Sequence, residues 1–285
     1  MFILTDNELQ QYINDDIPYF DLTTYLQGQS NKKAKLSIFT REDIIVSCSE
    51  EAKRIAELLN CEVKSFVPSK TFIKQNDVIL EFIGKYEDVH KAWKVCQVLL
   101  EYSCKMASNT NKMKREIESV NKTCELLSTR KSFPFAKKLC IKSIIIGGAI
   151  PHRLGLSESI LLFPQHRIVY KNEKDFLNDI KRLKQKAPEK KIVIETETYE
   201  DAIILMQNEV DVIQIDKIKI PILKKIIQYK NENFPSVSIL AAGGINLSNV
   251  KEYASLGVDG IVSSAMYSSG MADFGSKMKL LPKEN

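Results

Sequence analysis

The sequence has 285 residues, which at roughly 100–200 residues per domain allows two domains or one large barrel. Hydrophobic residues make up 44%, and glycine and proline together account for only 20 residues (11 + 9), which excludes disordered, collagen-like and low-complexity classes. The net charge is 41 − 36 = +5, and the basic residues form neither a tail nor an Arg-rich stripe. A small anionic ligand is therefore a better expectation than nucleic acid.

No apolar run approaches the ~20 residues needed to span a bilayer, so we expect no membrane insertion. The segment Met1–Asp6 lacks the cationic and apolar regions of a signal peptide, and a cytoplasmic protein is expected. The cysteines lie far apart, without a C-x-x-C pair or a Cys-His cluster at metal-ligand spacing. We interpret all six as free, mostly buried thiols: Cys48, Cys61, Cys96, Cys104, Cys124 and Cys140.

Up to about Lys85 the chain alternates short apolar stretches with turns, which predicts a small α+β domain. Its predicted elements are a helix at Glu50–Leu59 and strands at Ala34–Phe39, Ile44–Ser49, Cys61–Phe66 and Val78–Phe82. From Asp88 to about Ser128 apolar residues recur at helical spacing. This stretch predicts two long helices, broken near Ala107–Asn111.

After Leu126 the pattern changes to strands alternating with helices. Helices are expected at Asp175–Lys186, Tyr199–Gln207, Pro221–Tyr229 and Ser248–Leu256. The predicted strands are short apolar runs at Leu126–Ser128, Ile160–Phe163, Lys191–Ile194, Val212–Ile215, Ser238–Ala241 and Gly260–Ser263. Such runs are typical of parallel strands covered on both faces, so we predict an incomplete β/α barrel. An open doubly wound sheet is the alternative, although no G-x-G-x-x-G motif follows a first strand.

In a β/α barrel the active site lies at the carboxyl ends of the strands, where this sequence places polar and small residues. Cations, carboxylates and two small-residue loops follow the predicted strands in turn: Thr129-Arg130-Lys131, Glu195 with Glu197, Asp216 with Lys217, Gly243-Gly244 and Ser263-Ser264. A glycine loop late in a barrel is a common phosphate cradle. The set therefore favours a phosphorylated ligand.

A second cationic group stands in the segment Gly147–Arg153, where His152 adjoins Arg153. An imidazole beside a guanidinium suits recognition of a carboxylate, because the guanidinium binds carboxylates through two parallel hydrogen bonds. We therefore expect a carboxylate-bearing substrate at this pair.

Four segments occur in the order and spacing of the quinolinate phosphoribosyltransferase (nicotinate-nucleotide pyrophosphorylase) family, which the chain resembles over nearly its whole length. They are Asp16–Thr24, Thr129–Lys131, Gly147–Arg153 and Ala242–Asn246. The resemblance implies an N-terminal α/β sandwich at 1–109, an incomplete β/α barrel at 110–270 and a tail at 271–285 that packs on the first domain. It also implies a homodimer, or a multiple of dimers, that completes the active site. The segments Tyr19–Thr24, Ala92–Lys94, Phe163–Arg167 and Ala241–Asn246 resemble the branch of the family associated with molybdate-transport gene clusters.

The resemblance implies transfer of phosphoribose from phosphoribosyl pyrophosphate to a nitrogen-heterocycle base, with Mg²⁺ as cofactor. Glu195 and Asp216 would be catalytic and would hold magnesium largely through the substrate, and Lys131 would be a catalytic residue that contacts phosphate. The other implied roles are base binding by Arg130, His152 and Arg153, 5′-phosphate binding by Gly243, Gly244, Ser263 and Ser264, and a contact from Lys94 of the neighbouring subunit.

The sequence departs from the family at positions that the resemblance assigns to binding of the acceptor base. Phe163 stands where the family has a lysine, and Lys94 stands where it has an arginine. These changes leave the phosphoribosyl side largely intact and predict an acceptor other than quinolinate, with Phe163 as part of its pocket.

Two other classes remain open at the level of the sequence. A phosphosugar aldolase or isomerase would share the phosphate loop, with Lys217 beside Asp216 as the only candidate for Schiff-base chemistry. A non-catalytic anion or nucleotide binder on the same scaffold is the other alternative, and release of pyrophosphate distinguishes it from an enzyme.

Overall fold

A computed structural model describes residues 2–29, 31–208 and 210–282. It is a mixed α/β protein with a seven-stranded parallel sheet and a separate antiparallel sheet, as the sequence predicts. The strands are β1 Lys33–Thr40, β2 Ile44–Ile45, β3 Glu62–Phe66, β4 Phe72–Ile73, β5 Val78–Lys85, β6 Glu125–Ser128, β7 Ile150–Pro151, β8 Ile160–Leu162, β9 Ile192–Thr196, β10 Val212–Asp216, β11 Ser238–Ala242, β12 Gly260–Ser263 and β13 Phe274–Leu280. The helices are α1 Asp6–Asp16, α2 Leu22–Gln27, α3 Ser49–Leu58, α4 Tyr86–Glu118, α5 Lys137–Ile146, α6 Pro164–Arg167, α7 Glu173–Lys186, α8 Tyr199–Gln207, α9 Ile220–Asn233 and α10 Val250–Ser255.

The chain forms two compact units. The first comprises the described residues of Met1–Thr110, Ser132–Gly147 and Tyr267–Asn285, and the second comprises those of Asn111–Lys131 and Gly148–Met266. An antiparallel sheet in the order β13-β1-β5-β3 forms the first unit together with helices, and β13 pairs with β1 along its whole length. The strand β1 alternates buried and partly buried residues because one of its faces packs on the apolar core of this unit.

A single helix, α4, replaces the two helices that the sequence pattern predicts, and the expected break near Ala107–Asn111 is wrong. The polar residues in this stretch are satisfied without interrupting the helix. Thr110 Oγ1 donates to Met106 O at 2.7 Å, and Ser108 Oγ accepts from Ile45 N at 2.8 Å. Side-chain hydroxyls that bond back to a carbonyl four residues earlier are compatible with a continuous helix.

The segment Ser132–Gly147, which contains α5, belongs to the first unit although the sequence division places it with the barrel. A buried ion pair accounts for this placement, because Lys142 Nζ lies 2.6 Å from Glu51 Oε1 on α3 and both side chains are almost fully buried. At the end of α5, a Cβ on Gly147 would lie 2.5 Å from Ala107 O, so only glycine allows this close approach to α4.

The second unit is built on the parallel sheet, whose order is β7-β6-β12-β11-β10-β9-β8. The strands β7 and β8 are its two edges although they follow each other in the chain, which makes the sheet an incomplete barrel. Small and apolar side chains fill its concave interior: Leu127, Leu161, Val193, Val212, Leu240, Ala242 and Val262. The incomplete β/α barrel predicted from the sequence is thus confirmed.

The six cysteines are free and buried, as predicted from their spacing. Burial raises the pKa of the Cys48 thiol to about 11, so this group stays protonated and behaves as a small apolar residue. Within the described ranges, no helix is both long and apolar enough to cross a membrane.

Candidate active site

The parallel strands of the second unit end at one edge of the sheet, and we call this edge the mouth. Because strand polarity is shared, residues that end or follow the strands gather there. They include all the predicted site residues except Lys94: Arg130, Lys131, His152, Arg153, Phe163, Glu195, Asp216, Gly243, Gly244, Ser263 and Ser264. Lys94 lies on α4 within the first unit, is exposed, and places its Nζ 4.6 Å from the centre of the Trp93 ring. Its predicted role stays a prediction.

Two carboxylates form the acidic side of the mouth. Glu195 and Asp216 point into the sheet interior from the neighbouring strands β9 and β10, with Asp216 as the last residue of its strand. Burial raises the pKa of Glu195, and the negative charges of Asp216 and Glu197 act in the same direction. A cation or an electron-poor centre bound here would relieve this cost, since it favours the ionised carboxylates.

The glycine loop lies directly against Asp216. A Cβ built on Gly243 would stand 2.6 Å from Asp216 Oδ1 and 2.5 Å from Lys217 Cγ, and its φ of +85° is in the region that favours glycine. The loop is closed by Asn246 and Asn249, whose side-chain amides donate to Gly244 O at 3.3 Å. A glycine turn with accessible main-chain amides beside a carboxylate suits a phosphorylated sugar.

The two serines after β12 differ in their surroundings. The Ser263 hydroxyl is buried and donates to Ile245 O at 2.6 Å, while it accepts from Ala265 N at 3.0 Å. This hydroxyl therefore ties the glycine loop to β12, and a contact with phosphate at Ser263 would have to come from its main chain. Ser264 is half-buried and follows at the strand end. The predicted phosphate roles of both residues are untested and stay predictions.

The cationic side of the mouth is formed by the residues after β6 and β7. Arg130 and Lys131 are exposed, whereas the Arg153 residue is only 8% exposed. Burial and the positive charge of Arg130 lower the pKa of Arg153, and burial and Arg153 together lower the pKa of His152. The His152 imidazole is therefore neutral at pH 7. Arg130 and Arg153 lie close enough for their charges to interact, and within the part of the chain described here neither forms an ion pair with a carboxylate. An anionic ligand would stabilise this pair of positive charges.

Phe163 supplies an apolar surface next to these cations. The Arg153 guanidinium carbon lies 5.9 Å from the centre of its ring, and the ring stacks on His166 at 5.7 Å with 21° between the planes. The imidazole of His166 is held in place because its Nδ1 accepts from Phe163 N at 2.9 Å. A flat heteroaromatic ring could pack against such a surface.

Gln214 and Arg167 hold Glu195 in place, a role that the sequence did not predict for either residue. Gln214 Nε2 donates to Glu195 Oε2 at 2.5 Å. Arg167 Nη2 donates to the Glu195 carbonyl at 3.2 Å, while its Nη1 lies 2.8 Å from Asp201 Oδ2. The signal for Gln214 was present in the sequence, since it stands two residues before Asp216 and shares its face of the strand. The signal for Arg167 was not, because its partners are 28 and 34 residues away.

Replacing Gly243 by alanine should weaken binding of a phosphorylated ligand at the mouth by about tenfold or more, because the added Cβ forces Asp216 and Lys217 to move. Gly244→Ala is the matched control, since its φ of +72° is equally strained but no atom lies within 4 Å of the added Cβ. Both variants should lose about 1–2 kcal/mol of stability from strain. Titration calorimetry measures the difference, and equal affinities for the two variants would contradict this placement of the loop.

The fold is that of an α/β enzyme whose polar residues gather at the carboxyl edge of a parallel half-barrel. The family model for the C-terminal domain of quinolinate phosphoribosyl transferase matches residues 106–277, and that for its N-terminal domain matches residues 21–104. The chain is 31% identical over 273 residues to the ModD protein of Pasteurella multocida, covering 96% of this chain and 97% of that protein. It is 31% identical over 249 residues to ModD of Rhodobacter capsulatus, covering 87% of this chain and 95% of that one.

Solved structures show the same fold. The nicotinate-nucleotide pyrophosphorylase of Ehrlichia chaffeensis superposes with a TM-score of 0.88 at 21% identity, covering 98% of this chain and all of that one. NadC of Streptococcus pyogenes superposes with a TM-score of 0.87 at 20% identity, covering 99% of this chain and 100% of that one. The chain belongs to the quinolinate phosphoribosyltransferase family. It is thus a phosphoribosyltransferase-type enzyme, similar to the ModD proteins, and the resemblance noted in the sequence is confirmed.

Proposed function

We propose that this protein transfers the phosphoribosyl group of phosphoribosyl pyrophosphate to a ring nitrogen of a small heterocycle. A bond forms between that nitrogen and the anomeric carbon of the ribose, and the bond from this carbon to the pyrophosphate oxygen breaks with release of pyrophosphate. The observation that carries the proposal is the close approach of Asp216, one of the two carboxylates, to the glycine loop, because a Cβ on Gly243 would lie 2.6 Å from Asp216 Oδ1.

The charges at the mouth match the charges that develop in this reaction. The anomeric carbon becomes positive, and Glu195 and Asp216 would stabilise it and bind the ribose hydroxyls. The pyrophosphate becomes more negative, and Lys131 would neutralise part of this charge. Alignment of the two substrates contributes on the order of 7–11 kcal/mol to lowering a barrier, so the proposed displacement needs no nucleophilic side chain.

The acidic pair also fits Mg²⁺ held together with the substrate. Magnesium in enzymes commonly binds one or two carboxylates and completes its shell with substrate oxygens and water. The described residues contain no cluster of three or more metal-binding side chains, which argues against an all-protein cage. Magnesium bound with the pyrophosphate would supply charge neutralisation at the leaving group. Glu195 and Asp216 would orient the ribose hydroxyls toward it.

The part of the mouth next to Phe163 supports an acceptor that has one acidic group or no charge and that stacks on the phenyl ring. Arg130, His152 and Arg153 would bind a single carboxylate, and Phe163 would pack against the ring. Two carboxylates on one ring would need a further fixed cation at position 163, where this chain has a phenyl group. We therefore propose a monocarboxylate or uncharged nitrogen heterocycle as acceptor.

The aldolase or isomerase alternative has little support. The Lys217 side chain is 74% exposed, and its Nζ lies 3.3 Å from Asp216 Oδ2. Schiff-base lysines are activated by desolvation or by a neighbouring cation, and an exposed lysine paired with a carboxylate has neither. Family membership also favours a transferase over an aldolase or a non-catalytic binder.

The proposal is tested by incubating the enzyme with phosphoribosyl pyrophosphate, Mg²⁺ and each of a panel of nitrogen heterocycles. Pyrophosphate release that depends on one heterocycle, with its ribonucleotide identified by mass, is the expected result. Glu195→Gln is the control for contaminating activity. If the wild-type protein releases no pyrophosphate and does not bind phosphoribosyl pyrophosphate in calorimetry, the proposed function is wrong.

We further propose that the active form is a homodimer, or a multiple of dimers, in which Lys94 reaches the active site of the neighbouring subunit. Exposed apolar side chains in the first unit support an interface, among them Tyr19 at 90%, Tyr25 at 70% and Leu26 at 72% exposure. The Lys94 side chain is exposed on α4.

Lys94→Ala should therefore lower activity while leaving the barrel intact, and mixing it with Glu195→Ala should restore part of the activity. Mixed dimers would carry one site without either substitution. Lys91→Ala, which removes an ion pair with Glu87 on the same helix, is the matched control and should retain activity. An active monomer in light scattering at micromolar concentration, or no recovery on mixing, would contradict the proposal.

A role in molybdenum utilisation is proposed on the resemblance to the ModD branch alone. The expected result is that a strain lacking this gene loses molybdoenzyme activity when molybdate is limiting and regains it when molybdate is in excess. Equal molybdoenzyme activity in the mutant and the parent strain at limiting molybdate would contradict this link.

A further inference from the structure

Gln214 is a polar residue in the apolar interior of the half-barrel. It lies on β10 between Val212 and Asp216, and alternation along the strand places all three on the interior face. Its neighbours in register are Glu195 on β9 and Leu240 on β11. The Gln214 residue is 5% exposed, so its amide is withdrawn from solvent below the acidic pair.

The hydrogen bond to Glu195 determines how the Gln214 amide is oriented. A carboxylate only accepts hydrogen bonds, so the group that faces Glu195 Oε2 at 2.5 Å must be the Nε2 amino group of Gln214. The amide oxygen is then turned away from Glu195. It is buried and accepts no hydrogen bond from any of the described residues.

This arrangement costs stability that an apolar side chain would avoid. A buried acceptor without a donor is unfavourable, and a methionine of similar length would fill the same space next to Val212 and Leu240. Polar groups that leave a buried atom unsatisfied in this way need an explanation beyond packing. Among the described residues, Glu195 is the only hydrogen-bond partner of the Gln214 side chain, so the polarity of Gln214 benefits this bond alone.

We propose that Gln214 is a positioning residue that holds one oxygen of the Glu195 carboxylate so that the other oxygen faces the ribose. This inference rests on the proposed function, in which Glu195 binds the ribose hydroxyls. The main chain of Glu195 is held independently, because Arg167 Nη2 donates to its carbonyl. Glu195 Oε1 has no donor among residues 2–29, 31–208 and 210–282, and this oxygen remains available to the ribose.

The test is Gln214→Met, with Gln228→Met as the matched control. Gln228 is an exposed residue on α9 whose Nε2 donates to Glu232 at 2.9 Å, so the control removes the same kind of bond away from the mouth. Calorimetry measures the affinity of each protein for magnesium phosphoribosyl pyrophosphate and for magnesium pyrophosphate alone. Thermal unfolding measures stability.

Gln214→Met should bind magnesium phosphoribosyl pyrophosphate about 10-fold to 100-fold more weakly than wild type. This is the range for losing one hydrogen bond from a ribose hydroxyl to the charged Glu195 carboxylate. Its affinity for pyrophosphate alone should be unchanged, because that probe lacks the ribose, and its unfolding temperature should equal or exceed that of wild type. Gln228→Met should bind both probes as wild type does.

Two results would overturn the inference. In one, Gln214→Met binds both probes as tightly as wild type, and Glu195 needs no support from position 214. In the other, Gln214→Met unfolds at a lower temperature and loses affinity for both probes, and Gln214 then has a purely structural role. Failure of the proposed function is distinguishable from both, since the wild-type protein itself would not bind phosphoribosyl pyrophosphate.

Discussion

Replacing Glu195 and Asp216 together by alanine is expected to abolish measurable binding of magnesium phosphoribosyl pyrophosphate. Each carboxylate would contribute hydrogen bonds between charged and neutral groups, worth about 1.5–3 kcal/mol apiece. The loss of both should lower the affinity by about 10²- to 10⁴-fold at 1.4 kcal/mol per tenfold. Titration calorimetry of the double variant in the presence of Mg²⁺ measures this effect.

The fold should survive this double substitution. Burial and the neighbouring charge of Asp216 raise the pKa of Glu195, so the ionised carboxylate is less favourable in the folded protein than in the unfolded chain at pH 7. Removing the Glu195 carboxylate should therefore leave the unfolding temperature unchanged or raise it. Glu197→Ala, at the exposed position two residues further on, is the control and should bind normally. An affinity equal to wild type in the double variant would show that these carboxylates are not the ribose site.

Quinolinate is expected to be a poor substrate of this enzyme. Its two carboxylates require several fixed cations, and this chain has Phe163 and Lys94 where the family resemblance leads us to expect lysine and arginine. Losing a charged contact to a buried carboxylate costs ~1.5–3 kcal/mol, and lysine in place of arginine loses the two parallel hydrogen bonds as well. Together these changes should lower kcat/KM by about a few hundredfold or more.

Steady-state kinetics with quinolinate and phosphoribosyl pyrophosphate measures this effect, and Phe163→Lys should raise kcat/KM for quinolinate. Phe163→Met is the matched control, because it removes the ring without adding charge and should bring no gain. A kcat/KM for quinolinate of ~10⁴ M⁻¹s⁻¹ or above in the wild-type protein would show that other residues compensate, and that our interpretation of this pocket is wrong.

Most of the second unit could be predicted from the sequence. Its strands are short apolar runs between helices, and the structure places β6 and β8–β12 within a few residues of the predicted ranges. The two-residue strands β4 and β7 were missed because so short an element has no periodicity of its own. The third two-residue strand, β2, was predicted too long, as Ile44–Ser49, because the helix α3 already begins at Ser49. The strand β13 was also missed, since Phe274–Leu280 alternates weakly and is recognisable as a strand only through its pairing with β1.

The candidate site was likewise predictable only in part. Residues that follow apolar strands, such as Glu195, Asp216 and Gly243, were predicted because strand polarity alone brings them to one edge. The predicted phosphate role of Ser263 stays a prediction, but the sequence did not indicate that its hydroxyl bonds to Ile245 O, 18 residues away in the chain. Such a partner depends on which loop passes beside β12, and the local pattern contains no information about it.

By itself, the sequence determined the fold class and the residues that gather at the mouth, because these depend on the alternation of apolar and polar residues along single elements. It also determined the free and buried state of the six cysteines, because they are widely spaced and a free thiol behaves as a small apolar group. Only the tertiary structure decided the continuity of α4, the assignment of α5 to the first unit through Glu51 and Lys142, and the contact of Gln214 with Glu195. Each of these depends on a hydrogen bond or an ion pair to a partner whose position is set by packing of other elements rather than by the neighbouring residues.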